Sequence, residues 1–580
     1  MKVYRLDDIP VIYSQLESLK LRELIDASIE PHGNWQGISL GELLSIWLCY
    51  ILSEGDHRLS PVESWVESNL PWLQTMSSLP HLSSKDFTDD RLESVLDYLS
   101  KDKHWLAFEE LFSAQSLSIY DLGDIGTVRL DAAPIQGYHQ IKEGGLFQKG
   151  YSKQHANIGQ FKVMLATLDN VYNNFAYPLF HKVFSGEKAD DILYLPVLKE
   201  CVELFASIGQ SDPKLVVGDS KMGSKSLRSY IKKSGHYYLV PLSKVQLSQD
   251  KRKELILSQN QQDYQSVYKE DEQGNQILVC QGFELSQQVK YQEDLTEEIH
   301  DWEERLIFVL SSSYSKSQCA RFDKKLESTK TELLELTNAK QGKKIIASRK
   351  DLDQRIEEIL IQRGLVDCLE ISVDETIEVR HRRKYKDRPA FDEEIVSYQL
   401  TVEEKKQTIE EKKKLLGWQV YACNAPNEKI SLEQCVWKYR GQNKIENRFD
   451  NLRNKVAPLV AIYLQKDNRV VGLVNLLMIA LKTCSLMEYG AAKKLKENDD
   501  ELTKVYPGNP KRGTKRPTAK RMLNAFVGIS IVVLKASNAE SVQIAMTDIN
   551  DVQTKIIDLI GLKSNLYDEI AHKMQIAFST

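Results

Sequence analysis

Late in the sequence, four polar side chains lie at helical spacing: Tyr439, Gln442, Glu446 and Arg453. At about 100° per residue, a helix over residues 437–455 places all four within roughly 60° of one another. An apolar stripe adjoins them, made of Ile445, Phe449, Leu452 and Val456. A carboxylate beside an apolar face, with phosphate-binding groups on either side, suits a metal-dependent phosphodiester enzyme. An amphipathic helix with a solvated rim has the same pattern, so this stretch alone does not decide between the two.

Two further carboxylates follow strand-like segments nearer the N-terminus. Residues 127–131 form a short apolar run that ends on Asp131, and residues 214–219 form a buried-type run that ends on Asp219. Acids at the ends of neighbouring strands converge on one site, at the edge of an α/β sheet where ligands bind. A single strand-end Asp is also a common turn former. Two of them, in order before Glu446, predict a site of three acids.

The spacing Tyr-x2-Gln-x3-Glu-x6-Arg resembles the Tyr-x2-Arg-x3-Glu-x6-Lys signature of DDE transposases from bacterial insertion sequences, in the insertion-sequence-four group. Gln442 stands where that group usually has Arg, and Arg453 where it has Lys. The segment from Tyr151 to His155 also matches the Tyr-Ser-Lys stretch that the group carries before its second strand. The resemblance implies three catalytic, metal-binding acids: Asp131, Asp219 and Glu446.

Three carboxylates with nothing softer nearby indicate a hard cation, Mg²⁺ or Mn²⁺, and two such ions about 4 Å apart suit an in-line displacement at phosphorus. The resemblance implies hydrolysis at each transposon end and attack of the freed 3′-hydroxyl on target DNA, without a covalent protein intermediate. Tyr439 and Arg453 would position phosphates, with Gln442 as a weaker partner. The implied partner is double-stranded DNA, bound by a homodimer because two ends must be paired.

The elements that position these acids are expected to form an α/β, ribonuclease-H-like core split by a large insertion. Residues 125–243 predict three strands, a helix, a strand, a helix and a strand, which is the order of that fold. Residues 416–490 supply the second part of the core: a returning strand, a helix that is capped at Ser431 and delivers Glu446, and a buried helix. Between Asp219 and Glu446 lie 227 residues (446 − 219), far more than the core requires.

The insertion, residues 244–415, is predicted to be mixed α/β. Charged helical runs at 317–339 and 348–363, hinged near Gln341 and Gly342, suit an antiparallel hairpin. Within the insertion, a basic run supplies candidate DNA contacts at Arg380, Arg382, Arg383 and Lys384. A charge run is also the usual composition of a solvated surface.

The flanking regions are predicted to be helical. Residues 1–120 begin their strongest helix at the capping box of Ser39 and Glu42, and by the resemblance they bind transposon ends or dimerise. Helical packing without DNA contact remains open there. Residues 491–580 include an amphipathic helix from Pro517 through Ile531. A second basic cluster precedes it, with candidate DNA contacts at Lys511, Arg512, Lys515 and Arg516.

Length and composition bound the class of protein. The 580 residues predict three or four domains, and the net charge of -5 argues weakly against a nucleic-acid binder. The eight cysteines include no Cys-x2-Cys pair, which favours a reducing cytosol. The most apolar segment, residues 470–487, is interrupted by Asn475 and Lys482 and predicts a buried core helix. A cytoplasmic, nucleoid-associated bacterial protein without a membrane segment is expected.

Functions other than transposition are also consistent with the sequence. The sequence contains no Walker-type loop, no His-Glu-x2-His helix and no Gly-x-Ser-x-Gly elbow. A nuclease that cuts without joining fits the same fold. A transposase-derived DNA-binding or scaffold protein without activity fits as well, as does an α/β protein whose helical hairpin mediates protein contacts.

Overall fold

The computed structural model describes the chain with several gaps. The described residues are 1–120, 126–150, 158–169, 176–271, 273–293, 298–338, 348–384, 389–455, 459, 461–535 and 542–579. They form two compact units, and each is described separately. The first unit contains Met1–Val240, Lys290–Asp301 and Trp437–Thr580, and the second contains Pro241–Val289 and Trp302–Val436.

The N-terminal part of the first unit is helical apart from one short strand. Its elements are β1 (Lys2–Arg5), α1 (Ile9–Ser18), α2 (Leu21–Ser28), α3 (Leu40–Glu54), α4 (Val62–Ser77), α5 (Asp89–Leu99) and α6 (Asp102–Tyr120). The predicted capping box of α3 is confirmed, because Ser39 Oγ accepts the Glu42 N–H at 3.2 Å and Glu42 Oε2 accepts the Ser39 N–H at 2.8 Å. The helix behind it is buried almost throughout, as its apolar sequence predicts.

A mixed sheet follows in the same unit. Its elements are β2 (Thr127–Gln136), β3 (Gln160–Asp169), β4 (Ala176–Ser185), α7 (Asp191–Ser207), β5 (Leu215–Val217), α8 (Lys225–Lys233) and β6 (Tyr237–Pro241). The spatial order is β4-β3-β2-β5-β6, in which β2, β3 and β4 are antiparallel while β5 is parallel to both β2 and β6. The predicted mixed α/β fold is confirmed. The ribonuclease-H-like assignment stays a prediction that fits this order.

The prediction that Asp131 ends its strand is wrong, because β2 continues for five residues beyond it. The parallel ladder to β5 ends at Arg129, opposite Val217, whereas the antiparallel ladder to β3 continues to Gln136. Asp131 therefore lies just past the end of β5, where β2 keeps a backbone partner on one side. This position leaves room beside the strand for groups from other elements.

The second unit contains a sheet, a helical hairpin and a long ribbon. Its elements are α9 (Gln249–Leu257), β7 (Gln265–Glu270), β8 (Gln276–Gln292), β9 (Ile299–Ser311), α10 (Ser312–Leu334), α11 (Arg349–Arg363), β10 (Leu369–Arg382), β11 (Phe391–Glu404), α12 (Lys406–Lys414) and β12 (Trp418–Cys423). The adjoining ends of strands β8 and β9 belong to the first unit. Strands run in the order β12-β9-β8-β7, and β10 pairs with β11 alone. The predicted helical hairpin is formed by α10 and α11, which share a buried apolar seam around Leu326, Leu333, Leu352 and Ile356.

The remaining elements return to the first unit. They are α13 (Leu432–Arg440), which begins in the second unit, α14 (Asn443–Asp450), a π-helical turn (Asn451–Lys455), α15 (Asp467–Glu497), α16 (Ala519–Asn524), β13 (Ser530–Lys535), β14 (Val542–Met546), α17 (Asp551–Leu559) and α18 (Leu566–Ser579). The capped start at Ser431 is confirmed, since its Oγ accepts the Gln434 N–H at 3.2 Å and its N–H donates to Gln434 Oε1 at 2.9 Å.

The prediction of one helix over residues 437–455 is wrong, because the chain breaks between α13 and α14 at Gly441 and Gln442. Gly441 packs so closely on Arg129 that a Cβ there would lie 2.5 Å from Nη2. Close packing on the buried Arg129 thus favours a glycine at position 441, although the spacing of the polar residues around it predicts a continuous helix.

The predicted helix through Ile531 is also wrong. Its helical part ends at Asn524, and residues 530–535 form β13, which pairs antiparallel with β1 and β14. The β-branched run of β13 explains the strand. The C-terminal region is therefore α/β rather than helical.

The buried core helix predicted for residues 470–487 is confirmed as part of α15. This helix is long and apolar enough to cross a membrane by length and composition, yet 94% of its most apolar window is buried inside the protein. Burial of this kind is typical of the central helix of a soluble core, and α15 packs against α5 and β4.

Candidate active site

Three elements of the first unit carry the predicted acids. Strand β2 places Asp131, whose Oδ1 accepts the Ala132 N–H at 2.8 Å. Asp219 follows β5 by two residues and caps a short 3-10 helix, Ser220–Gly223. Glu446 lies on the exposed side of α14.

The electrostatics of Asp131 link these three acids. Burial raises the pKa of Asp131 from 3.8 to about 6, and the bond from the Ala132 N–H opposes that rise. The negative charges of Asp219, Glu446 and Asp190 raise this pKa further. Since such interactions fall off with distance, these acids face one common region.

The spacing of the three acids is wider than that of a closed metal site. Among the described residues, the group of acids and histidines whose ligand atoms all lie within 4.8 Å of one another is Glu293, Glu298 and His300. Asp131, Asp219 and Glu446 are not that close as a trio. Like charges repel, which favours a separation of three carboxylates that face each other.

The donor set itself suits a hard cation. The groups whose charges raise the pKa of Asp131 are all carboxylates, and oxygen ligands are those that Mg²⁺ and Mn²⁺ prefer. The Glu293 cluster differs, because it includes a histidine and Lys233 Nζ lies 3.5 Å from both of its glutamates. One lysine cation thus already offsets part of the negative charge of that second cluster.

The charges of all three acids act on Tyr439. Burial is the largest cause that raises its pKa to about 12, and the negative charges of Asp219, Asp131 and Glu446 add to the rise. The phenol therefore stays protonated at neutral pH and acts as a hydrogen-bond donor. A donor facing this site can bind the phosphate oxygens of a substrate.

Arg453 also faces Asp131. Burial lowers its pKa from the ordinary value, whereas the charges of Asp131 and Asp450 raise it. Its Nη2 donates to the Pro134 carbonyl of β2 at 3.1 Å, and its guanidinium lies 5.8 Å from the Phe449 ring centre. Its Nε is buried without a partner among the described residues. A half-buried cation is thereby fixed at the margin of the site.

Gln442 does not share this arrangement. It precedes the first residue of α14 at the break after Gly441, and its Oε1 is buried without a hydrogen-bond partner among the described residues. The expected row of four side chains is therefore interrupted at this position.

Sequence reasoning missed three residues beside the acids, namely Tyr194, Asp190 and Lys221. The buried Tyr194 hydroxyl donates to Asp219 Oδ1 at 2.8 Å. Lys221 Nζ contacts Asp190 Oδ2. Burial lowers the pKa of Lys221, but the bond to Asp190 and the charges of Asp190, Asp219 and Asp131 together raise it above its ordinary value. The dipeptide Asp190-Asp191 at the start of α7 was the one sequence signal, and it resembles an ordinary acidic first turn.

Buried polar contacts hold the Glu446 helix against the sheet. Arg129 binds Asp169 across β2 and β3, and Lys444 Nζ of α14 donates to the same carboxylate at 2.9 Å. Lys438 Nζ of α13 donates to Thr127 Oγ1 at 2.7 Å. These contacts anchor α13 to β2, the strand that carries Asp131, and α14 to the neighbouring strand β3.

The basic run of the second unit lies at the end of the β10–β11 ribbon. Arg380 pairs with Glu378 at 3.4 Å, and Arg382 Nε pairs with Glu393 at 2.6 Å. Arg383 and Lys384 are exposed, and no ion pair joins them to any other described residue. Acids of the ribbon thus neutralise part of the predicted DNA-binding charge.

The second basic cluster lies between α15 and α16. Lys515 Nζ pairs with Asp499 at 2.6 Å, and the guanidinium of Arg512 stacks 4.2 Å from the centre of the Tyr506 ring. Lys511 and Arg516 are exposed. The cluster therefore remains accessible to an anionic partner.

A few predicted features fall outside the described residues. They are the Tyr151 to His155 stretch, Val456 and the hinge near Gln341 and Gly342.

A family model described as "Transposase DDE domain" matches residues 127–481. This match covers more than half of the chain and includes both parts of the predicted core, with the second unit between them. A comparison with curated proteins finds no match.

Proposed function

The chain belongs to the DDE transposase family, and we propose that it is an active DNA transposase that cleaves transposon ends and joins the freed 3′-hydroxyl to target DNA. Within the family, we place it in the insertion-sequence-four group, with a ribonuclease-H-like core split by the insertion. The signature around Glu446 supports this placement, as does the strand order of the first unit.

The observation that carries the proposal is the shared electrostatic field at Asp131. Two of the acids that raise its pKa, Asp219 and Glu446, come from segments 88 and 315 residues further along the chain (219 − 131 and 446 − 131). Gathering like charges costs free energy. A site for cations accounts for that cost, and the family uses divalent metal ions.

In the proposed reaction, Asp131, Asp219 and Glu446 hold one or two Mg²⁺ or Mn²⁺ ions. Bound there, such ions would supply Lewis-acid activation of the attacking water or 3′-hydroxyl and charge stabilisation of the leaving oxygen. The chain's own residues bind and orient the DNA: Tyr439 donates to a phosphate oxygen, and Arg453, fixed by Pro134, pairs with the phosphate charge.

Additional DNA contacts are assigned to the two basic clusters. They comprise Arg383 and Lys384, with Arg380 and Arg382 as weaker contributors, and the residues Lys511, Arg512, Lys515 and Arg516. We assign end binding or dimerisation to the N-terminal helices and a homodimer to the complex on DNA. Its place of action is then the bacterial nucleoid.

The test is an end-cleavage and strand-transfer assay with DNA carrying the ends that flank its gene, in Mg²⁺ or Mn²⁺. We expect Asp219→Asn and Glu446→Gln to lower both steps by at least about 10³-fold, while the exposed Asp212→Asn has no effect. Wild-type rates in the two acid variants would refute the proposal. DNA binding without cleavage by the wild type would favour the scaffold, and cleavage without joining the nuclease.

A further inference from the structure

Asp219 is held by two donors that bind the same oxygen. The Tyr194 hydroxyl donates to Oδ1 at 2.8 Å, and the Lys221 backbone N–H donates to Oδ1 at 2.9 Å. Neither bond uses the second carboxylate oxygen, Oδ2. The carboxylate therefore has one oxygen that fixes its orientation and one that can face a ligand.

Two residues one helical turn apart, Asp190 and Tyr194 at the start of α7, hold Asp219 and the turn after β5 in place. Asp190, which precedes the first residue of α7, pairs with Lys221 Nζ, and it also accepts Lys162 Nζ at 2.5 Å. Tyr194 lies four residues later, so both side chains project from the same face. Tyr194 is about 1% exposed, which leaves its ring little freedom to move.

We propose that Tyr194 is a positioning residue that orients Asp219 so that Oδ2 is presented to the divalent ion. The inference rests on the proposed function, because it assumes that Asp219 is a metal ligand. Tyr194 does not touch substrate in this proposal. It acts through Asp219, with Asp190 and Lys221 keeping the turn after β5 in place.

The energetic reason is that a carboxylate without fixed hydrogen-bond partners can adopt several orientations. Without the Tyr194 bond, Asp219 samples other rotamers, and Oδ1 is left with one of its two donors. Hydrogen-bond partners of metal ligands typically contribute about 10- to 100-fold to metal affinity. Since phenylalanine fills the same space as tyrosine, Tyr194→Phe removes the bond while keeping the packing.

The experiment measures Mn²⁺ binding to the full-length protein by electron paramagnetic resonance, together with the Mn²⁺ dependence of end cleavage. We expect Tyr194→Phe to raise the Mn²⁺ dissociation constant and the half-saturating Mn²⁺ concentration about tenfold, with cleavage largely restored at saturating Mn²⁺. The matched control is Tyr177→Phe, which removes another buried hydroxyl, on β4, whose charged neighbour is Glu109. It should leave both quantities unchanged.

A double-mutant cycle separates positioning from a general loss of structure. If Tyr194 acts through Asp219, adding Tyr194→Phe to Asp219→Asn weakens Mn²⁺ binding no further. Additive losses, or an unchanged Mn²⁺ affinity in Tyr194→Phe, would overturn the inference. Absence of Mn²⁺ binding and cleavage in the wild type would instead remove the proposed function on which it rests.

Discussion

The guanidinium of Arg129 binds the carboxylate of Asp169 through two hydrogen bonds, 2.9 Å from Nε and 2.7 Å from Nη2. Both residues are buried, on neighbouring strands of the central sheet. Lys444 of α14 donates to the same carboxylate at 2.9 Å. The pair therefore supports the helix that carries Glu446, although neither member of it belongs to the transposase signature.

Arg129→Met is expected to lower the free energy of unfolding by about 3–5 kcal/mol, because it leaves the buried Asp169 with one cation instead of two. Thermal unfolding of the variant measures this loss. Lys182→Met is the matched control, since it breaks a half-exposed pair with Glu200 and should cost less than about 1 kcal/mol. Equal effects of the two variants would show that the Arg129 pair has no special role.

Gly441→Ala tests the close packing at the break between α13 and α14. The added Cβ would lie 2.5 Å from Arg129 Nη2, so either the guanidinium or α14 must shift. We expect stability to fall by about 1–3 kcal/mol and end cleavage to fall as well, because Glu446 lies five residues on. In Gly33→Ala, by contrast, the new methyl group meets no atom within 4 Å, and stability and cleavage should stay unchanged.

The broken helix shows where sequence reasoning reaches its limit. The spacing of Tyr439, Glu446 and Arg453 is helical, and an isolated glycine inside a helical pattern costs only about 1 kcal/mol. The pattern therefore predicted one helix. At the break, Gly441 packs closely on Arg129, more than 300 residues earlier, and no local pattern reports such an interaction.

The same limit explains the missed strand and the missed tyrosine. Residues 531–533 are β-branched, but the partner strand β1 of this segment is at the other end of the chain. Tyr194 is spaced like any buried residue of a helix, and its hydrogen bond to Asp219 crosses from α7 to the turn after β5. By contrast, the succession of strands and helices along residues 125–243 and the capped start at Ser431 rest on local sequence, which is why both could be predicted.

Lys221→Met is expected to lower end cleavage at least about tenfold. The lysine is held by Asp190, and its charge interacts with Asp219 and Asp131, so its removal leaves the acids with stronger mutual repulsion. The control is Lys225→Met, four residues further along, whose Nζ donates to the Lys290 carbonyl at 3.2 Å. Equal cleavage rates for the two variants and the wild type would contradict a role for Lys221.

Asp8 predicts a pH dependence of stability away from the candidate site. Burial raises its pKa from 3.8 to about 6; the charges of Asp7 and Glu54 add to the rise, and the hydrogen bond from Ser53 opposes it. Asp8 and Lys520 line one small cavity. The folded state thus holds the proton more tightly than the unfolded chain, so this contribution to stability is lost as the pH rises from about 4 to about 6.

Asp8→Asn removes that dependence. Relative to the wild type, the variant should gain up to about 3 kcal/mol of stability at pH 7 and nothing near pH 4. Thermal unfolding midpoints across this range measure the difference, with the exposed Asp212→Asn as the control. A difference between Asp8→Asn and wild type that stays constant with pH would show that Asp8 does not titrate as predicted.

The ribbon of the second unit makes a prediction about DNA affinity. Arg382 is paired with Glu393, whereas Arg383 and Lys384 have no ion pair within the described residues. Their combined replacement, Arg383→Ala with Lys384→Ala, should weaken DNA binding equally for all sequences and reduce the salt slope by about 2, because each of the two cations neutralises one phosphate. Binding titrations between about 50 and 200 mM salt, where phosphate neutralisation strongly affects affinity, measure both quantities.

The control for this double variant is a second pair of exposed arginines in the same unit, Arg349→Ala with Arg355→Ala. These arginines already bind Asp353 and Glu358 on α11, so their replacement changes the net charge by the same amount without removing an available cation. If both double variants lower the affinity equally, the effect comes from net charge alone. An unchanged salt slope in the Arg383 and Lys384 variant would instead leave the basic cluster before α16 as the better candidate for binding the DNA backbone.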